Sequence, residues 1–545
     1  MPPIAGGNWT RLGQECGSAT NPPLAAALLR WHGFGPDEER ILSRLAYPAS
    51  ILLGTLLAIQ LFGLDFIWPG TGLDWRPVGD AAQHAIAQRH FLADAWRWPL
   101  LNLGTLQNVN LAFLDGIPAL ALPLKLLASL LPEGFHAIGL FYAIAWVLQP
   151  VAAVWALRGA GVRGLLPGLA VAVMASAMPA FIMRYGHAAL CGHFVILAAL
   201  GLYFRAVEDA RWWRLAIPFQ AVALLVHPYL ALMSLGLLAA VPLTLLLRGQ
   251  PFIRAGIGAG AAVGAMLGTM ALLGYFGASG DGGYGQFALN LLSPLWPFRS
   301  ATLGWLVARE VDATGHGGWE GYNWLGLGLW AALLAGVVVG RERIAPGIRA
   351  HLGLVLALLG LTAIAISFRI GLGGLVLLDL GPAPGFLEQF RASGRFFWPV
   401  GYALMIGAAV LLTRRPVIFA ACALLQFVDA TPMRLALSTW AHERALWTIE
   451  ADSLRPIFAD ARLITLIPSW PCIAPADDAS RVAALEILLL ASETPRPVNT
   501  MYAARWRTPP RCTDAQVLAT PLASGEVRIG PDLDCQRIGA LGVCR

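Results

Sequence analysis

Long apolar runs separated by short polar breaks set the pattern of this chain from residue 48 onward. The first run, Pro48–Trp68, reads PASILLGTLLAIQLFGLDFIW, about the 20 residues a helix needs to cross a bilayer. Further runs near 137–157, 164–183, 189–207, 215–232, 233–248, 255–276, 324–340, 350–368, 397–413 and 416–431 bring the expectation to about eleven spans. The fold class that follows is an all-α polytopic transmembrane bundle. Gly116–Leu131 breaks the pattern. It offers about 16 apolar positions with Lys125 near the middle, too few to cross, and reads as a juxtamembrane or re-entrant helix.

Charge decides whether that omission is right. With Gly116–Leu131 left out, the loops on one side hold Arg158/Arg163, Arg205/Arg211/Arg214, Arg248/Arg254, Arg341/Arg343/Arg349 and Arg414/Arg415. Every one is basic, as cytoplasmic loops are. Arg30, Arg40 and Arg44 precede the first span, so residues 1–46 read as a cytoplasmic segment without a signal peptide. The transmembrane domain is then 47–431. Segments 69–136, 184–188 and 277–323 fall outside, as do 369–396 and the tail 432–545.

The tail differs in kind. It balances twelve acidic residues against twelve arginines and contains a strand pattern (RLITLIP) and a helix pattern (DDASRVAALEILLL), a small α/β extracytoplasmic domain. Four of the seven cysteines lie there: Cys472, Cys512, Cys535 and Cys544. An even set in an oxidising compartment suggests two disulfides, in any of three connectivities. Zinc binding by four thiols lacks a close CxxC pair.

Composition agrees. The 545 residues are 57% hydrophobic and 13% charged, against about 25% charged in a soluble domain. A water-facing surface cannot be built from so little charge, which excludes a soluble enzyme, a nucleic-acid-binding module and a disordered scaffold. The net charge of +6 implies no nucleic-acid partner, because Lys125 is the single lysine among 38 basic residues and the arginine bias follows composition. No GxxxxGK[ST], HExxH or GxSxG motif is present. The glycine run at 256–266 lies inside a span and reads as a packing surface.

Costly polar residues collect on the outer side. In VGDAAQHAIAQRHF, Asp80 and His84 are four apart and share a face if the segment is helical, although Asp80 could equally cap that helix. Asp115, in FLDGIP, has the same two readings. MRYGHAALCGHF carries Arg184, His187 and His193; the six-residue spacing of the histidines is wrong for a helical metal site, and Arg184 could simply snorkel to lipid phosphate. Glu320 and Asn323 sit in GGWEGYNWLGLGLW, where Trp319 and Tyr322 suit an interfacial belt but a carboxylate points to a polar cavity. Arg391 and Arg395, again four apart, suit a phosphate or pyrophosphate, or lipid-headgroup anchoring. His227, in LLVHPYLAL, is an intramembrane candidate or a helix-bonding residue.

The ensemble resembles the GT-C superfamily of membrane glycosyltransferases. The segment Gly79–His84 is similar to their first-loop acidic motif, and SAMPAFIMRYGHAAL to the segment around their second outer loop. GDAAQH, DGIP, RYGHAAL, NLLSP, WEGYNWLGLG and SGRFFW together resemble an uncharacterised bacterial integral-membrane family within it, over roughly residues 45–520. The resemblance implies transfer of a sugar from a polyprenyl-phosphate-linked donor to a glycan, lipid or protein acceptor, on the outer face of a bacterial cytoplasmic membrane. It implies Asp80 as the base that deprotonates the acceptor hydroxyl. Arg391 and Arg395 would hold the donor phosphate, and Asp115, Arg184, His84, His187, Glu320 and Asn323 would line the substrate site. His187 stands where several relatives have an acidic residue, so a DxD-type metal site is not reproduced. Whether a divalent metal (Mg or Mn) takes part stays open at this point. A transporter or flippase of lipid-linked glycans is the alternative, but no repeat joins the two halves and the polar cluster is not at midplane. A non-enzymatic scaffold would leave Asp80, Glu320 and the arginines unexplained.

Overall fold

The computed structural model describes residues 43–68, 78–104, 109–280, 282–307, 309, 311, 320–443, 446–503 and 505–545. Most of the expected N-terminal segment, with Arg30 and Arg40, lies outside the described residues, as does Trp319. The described chain is mostly helical, with a small sheet domain at its C-terminus. Among the described residues, six helices are long and apolar enough to cross a membrane: Ala46–Ile67, Ile138–Gly159, Ala188–Glu208, Pro228–Leu247, Ile253–Leu273 and Ser393–Leu411. Two bent pairs, Leu327–Ala350 with Leu352–Ile366 and Pro416–Asp429 with Thr431–His442, raise the count to eight at most.

That is fewer than the eleven expected, and the reason is length. Leu165–Ser176 has 12 residues and Trp213–Val226 has 14, about 18 and 21 Å against a hydrocarbon core of about 30 Å. The expected break at 232/233 lies instead at His227. Pro228 opens the next helix, where its missing N–H costs nothing, and the His227 ring nitrogen Nδ1 accepts the Tyr229 N–H (3.1 Å) as a cap. Gly116–Leu131 yields a nine-residue helix, Pro118–Leu126, too short to cross. The 256–266 run packs only in part. Gly258 lies against the Trp213 ring, whereas Gly256, Gly260 and Gly264 meet nothing.

Helices Ala46–Ile67 and Ile138–Gly159 pack backbone to backbone. A β-carbon on Gly139 would lie 1.8 Å from the Phe66 carbonyl oxygen, so only glycine fits. One end of the bundle is held by arginines at helix C-termini, where the macrodipole favours cations. Arg205 Nη1 donates to Trp155 O (3.0 Å), Arg248 Nε to Ala350 O (2.6 Å), and Arg158 to Ser43 O.

The opposite end carries the helix Asp80–Ala93, which is buried on every side although Gln83, His84, Gln88, Arg89 and His90 belong to it. Its apolar side, Ala81, Ala82, Ala85, Ile86, Ala87 and Phe91, joins the core, and its polar side chains are held by specific bonds. Gln88 bonds Gly116 O (3.0 Å) and Ala137 N (2.8 Å), and Arg89 reaches Gly134 O (2.7 Å) and Ser492 Oγ (3.2 Å). Ser492 caps the helix Asp478–Ala491, so Arg89 ties this first-loop helix to the C-terminal domain. The tail's expected strand and helix are both present, as Leu463–Leu466 and Asp478–Ala491. Leu463–Leu466 pairs in parallel with Glu526–Gly530, followed by Leu541–Cys544 and Gln536–Ile538, both antiparallel. Cys472–Cys512 and Cys535–Cys544 are the disulfides. Thr431–His442 packs on Ala46–Ile67, so the helical body continues past residue 431.

Candidate functional site

At the end opposite the arginines, loops and helix termini enclose a polar cavity of about 200 Å³, lined by Asp80, Gln83, Asp115, His187, His227, Tyr229, Phe287, Glu320, Arg391, Arg395, Tyr502 and Arg505. Sequence spacing anticipated the first contact. Asp80 and His84 do lie on one helix, one turn apart. Asp80 does not cap it: the cap position is Gly79, with φ +55°, and the carboxylate turns into the cavity. There Asp80 Oδ2 meets His187 Nε2 at 2.9 Å, and Oδ1 accepts the Tyr502 hydroxyl at 3.0 Å. Burial disfavours the charge, but His187, then His84 and Tyr502, outweigh it and hold the Asp80 carboxyl below the usual carboxylate range. Burial also works against a charged His187, yet Asp80 and then Glu320 hold that imidazole above its ordinary value.

Asp115 likewise does not N-cap the helix that follows it. The Pro118–Leu126 helix starts from Ile117 with no side-chain cap, and Asp115 instead approaches His227 Nε2 (3.4 Å). Both Asp115 (φ +49°) and Ile117 (φ +55°) occupy the left-handed region, which side chains other than glycine's rarely adopt. Burial raises the Asp115 carboxyl, but His227 and His84 more than reverse it.

Glu320 sits at the cavity's back wall, 3% exposed, and its Oε2 accepts three bonds: Arg184 Nη1 (2.6 Å), Arg395 Nε (3.0 Å) and Arg395 Nη2 (2.7 Å). Burial pushes its carboxyl up, but Arg395 and Arg184 prevail and bring it to about 2. This corrects two expectations. Arg184 does not reach lipid phosphate; it is buried on Glu320. Arg391 and Arg395 are not one turn apart on an α-helix, because residues 393–397 form a 3₁₀ segment and Arg395 is occupied by Glu320. Only Arg391 of the pair is exposed. Asn323 is also not a lining residue. It is buried and donates to Gly321 O (2.8 Å) and Gly394 O (3.1 Å), bracing the Glu320 loop. The two histidines six apart separate as their spacing implies: His187 enters the cavity, whereas His193 is buried against Trp398 and bonded to Tyr402 Oη (2.8 Å).

Gln83, Tyr229, Phe287, Tyr502 and Arg505 are lining residues that escaped sequence reasoning. Tyr502 and Arg505 come from the C-terminal domain, whose stretches 499–503 and 505–507 run over the cavity. Gln83 Nε2 donates to Tyr502 O (2.8 Å), Trp470 stacks on Tyr502 (4.7 Å between rings), and Arg505 Nη2 donates to Gln389 O (3.2 Å). The short strand Arg505–Trp506 pairs with Ser279–Gly280. Their one sequence signal is the aromatic and basic MYAARWR, which resembles any exposed loop.

Tyr229 and Arg505 also line a second space, an apolar groove of about 420 Å³ formed by Phe113, Leu224, Leu232, Met266, Met270, Tyr275 and Phe390. The polar cavity and the apolar groove therefore share a wall.

The family model for a domain of unknown function (DUF6311) matches residues 51–431, and the DUF6311 C-terminal domain matches residues 453–533. No curated protein matches the chain. The chain belongs to the DUF6311 family.

Proposed function

We propose that this DUF6311 member is a GT-C-type glycosyltransferase that moves a sugar from a polyprenyl-phosphate-linked donor to a glycan, lipid or protein acceptor. The observation that carries the reading is the shared wall between the polar cavity and the apolar groove. Taken alone, the cavity is smaller than the usual ligand site of roughly 300–1,000 Å³. Joined to the groove, it suits an amphiphile with a charged head and a hydrocarbon tail. Arg505 stands at the junction, where such a molecule carries its phosphate.

Asp80 is the base of this scheme. Its carboxylate is ionised, partly exposed and oriented from two sides by His187 and Tyr502. As the acceptor oxygen bonds to the anomeric carbon, the bond from that carbon to the phosphate oxygen breaks and the acceptor proton passes to Asp80. The departing phosphate gathers negative charge against Arg391 and Arg505. Arg395 and Arg184 serve the site indirectly, by neutralising Glu320.

The cavity faces the outer side of a bacterial cytoplasmic membrane in this reading. Arginines mark the opposite end as the inner one, and both disulfides suit an oxidising compartment.

The test compares cell-envelope glycans and glycolipids from cells with the wild-type gene, the gene deleted, and Asp80→Asn. A glycan lost on deletion should also be lost in Asp80→Asn, with the variant present in the membrane at wild-type level. A variant that restores the glycan in full removes Asp80 from the mechanism.

A further inference from the structure

The transfer scheme leaves His84 without a task. It is fully buried, and among the described residues neither ring nitrogen has a hydrogen-bond partner. Leaving a buried polar atom unpaired is costly, so a fold tolerates it where something else is satisfied. One donor atom each from His84, Asp115 and His187 lie within 4.8 Å of one another. Three sequence-distant segments thus bring two imidazoles and a carboxylate to one point.

The neighbours of these groups are arranged as the outer partners of metal ligands are. His227 Nδ1 accepts the Tyr229 backbone N–H (3.1 Å), which leaves the ring proton on Nε2, facing Asp115 Oδ1 (3.4 Å). Asp115 keeps its second oxygen. Asp80 Oδ2 engages His187 Nε2 (2.9 Å) and leaves the other ring nitrogen. Carboxylate–histidine pairing of this kind fixes ring orientation and strengthens the donor. The positive φ at Asp115 and Ile117 shows a backbone held out of its preferred range to aim that carboxylate.

We propose that His84, Asp115 and His187 bind one divalent transition-metal ion of the zinc class, with its remaining coordination position open to the cavity. Two imidazoles and one carboxylate form the three-ligand set of an open zinc site, and imidazole donors favour zinc, cobalt or iron over magnesium. Donors at about 2.1 Å from a tetrahedral ion lie roughly 3.4 Å apart, so closing from 4.8 Å needs movements of about 1 Å. A second group, Cys472, Cys512 and Asp514, is no rival, because its cysteines are joined in a disulfide. The proposal concerns binding alone and does not rest on the transferase reading.

The experiment uses the full chain without a histidine tag, in detergent under non-reducing conditions, stripped with chelator and then equilibrated with Zn²⁺ or Co²⁺. The wild type should take up one equivalent of zinc by elemental analysis and show the intense visible bands of low-coordinate Co²⁺. Zinc should raise its unfolding temperature. His84→Gln and Asp115→Asn should weaken zinc binding by about a hundredfold or more and abolish the thermal shift, while His442→Gln, at an exposed helix end, should bind as the wild type does. If the His84 and Asp115 variants prove unstable, the wild-type stoichiometry and Co²⁺ spectrum still decide. Substoichiometric zinc in the wild type, uptake unchanged in His84→Gln, or a preference for Mg²⁺ would each overturn the site.

Discussion

Glu320 is the most sharply tested residue of the fold, because one carboxylate oxygen carries three bonds from two buried guanidinium groups. Glu320→Gln keeps the shape and one acceptor oxygen but deletes the charge. Arg184 and Arg395 then share a neutral amide where the carboxylate stood, at 3% and 7% exposure. The stabilisation of the ionised Glu320, read from its displacement from 4.5 to about 2, corresponds to about 3 kcal/mol. Breaking a buried ion pair from one side costs a similar 3–5 kcal/mol or so. Arg395→Met removes one of the two guanidinium groups and leaves Glu320 its bond to Arg184 and the nearby His187, so it should cost less, about 1–2 kcal/mol. Denaturant unfolding in mild detergent measures both, and equal slopes license the comparison of midpoints. The expected order is wild type, Arg395→Met, then Glu320→Gln. An Arg395→Met variant as unstable as Glu320→Gln, or a Glu320→Gln variant of wild-type stability, would refute the charge accounting.

Other consequences follow from the lining of the two spaces. Arg505→Gln should raise the KM for a lipid-linked donor about tenfold, the loss of one charge-assisted bond at roughly 1.4 kcal/mol, with unfolding temperature unchanged. Tyr502→Phe removes the bond to Asp80 Oδ1 and should lower kcat by about tenfold or more while KM for the donor changes little. The hairpin formed by Arg369–Leu372 and Leu375–Asp379 exposes Leu372, Leu375, Val376, Leu377 and Leu378. Successive residues of a strand point to opposite faces, so both faces are apolar, which suits lipid on both sides and suits water on neither. An environment-sensitive fluorophore on Leu377→Cys should therefore shift to the blue in bilayers and be quenched by brominated lipid. The same label on Val482→Cys, on the exposed side of the Asp478–Ala491 helix, should not.

Much of the fold was legible because bilayer crossing imposes one requirement, apolar length, that a sequence displays directly. The Pro48–Trp68 run became Ala46–Ile67, and RLITLIP became the strand Leu463–Leu466. What length alone did not show is where an apolar stretch is interrupted. Leu165–Ser176 and Trp213–Val226 read as full spans because the residues that end them, Ala177 and His227-Pro228, interrupt little of the hydrophobic pattern. Pairing among the four tail cysteines was equally invisible, since connectivity is a property of the folded chain.

The candidate site divides along a similar line. Residue chemistry with local spacing found Asp80 and His84, one helical turn apart, and placed Glu320 at a polar cavity, whereas Arg184 and His187 entered the site only through the resemblance. The same local rule failed at Arg391 and Arg395, because it assumes an α-helix where the backbone turns as a 3₁₀ segment. It failed at Asp115 too, where the strained backbone at residues 115 and 117 turns the carboxylate away from the nearest helix end. Tyr502 and Arg505 were out of reach for a different reason: they lie more than 400 residues from Asp80 and enter the cavity only because Arg89 and Gln83 clamp the C-terminal domain over it. Those clamps have a functional consequence. The Gln83 bond to the Tyr502 carbonyl sits on the Asp80 helix, three residues from the carboxylate that the Tyr502 hydroxyl meets. Anything that lifts the C-terminal domain must therefore release Asp80 from Tyr502 and open the Arg505 wall in one movement. Access to the cavity and orientation of the carboxylate are controlled by the same contact.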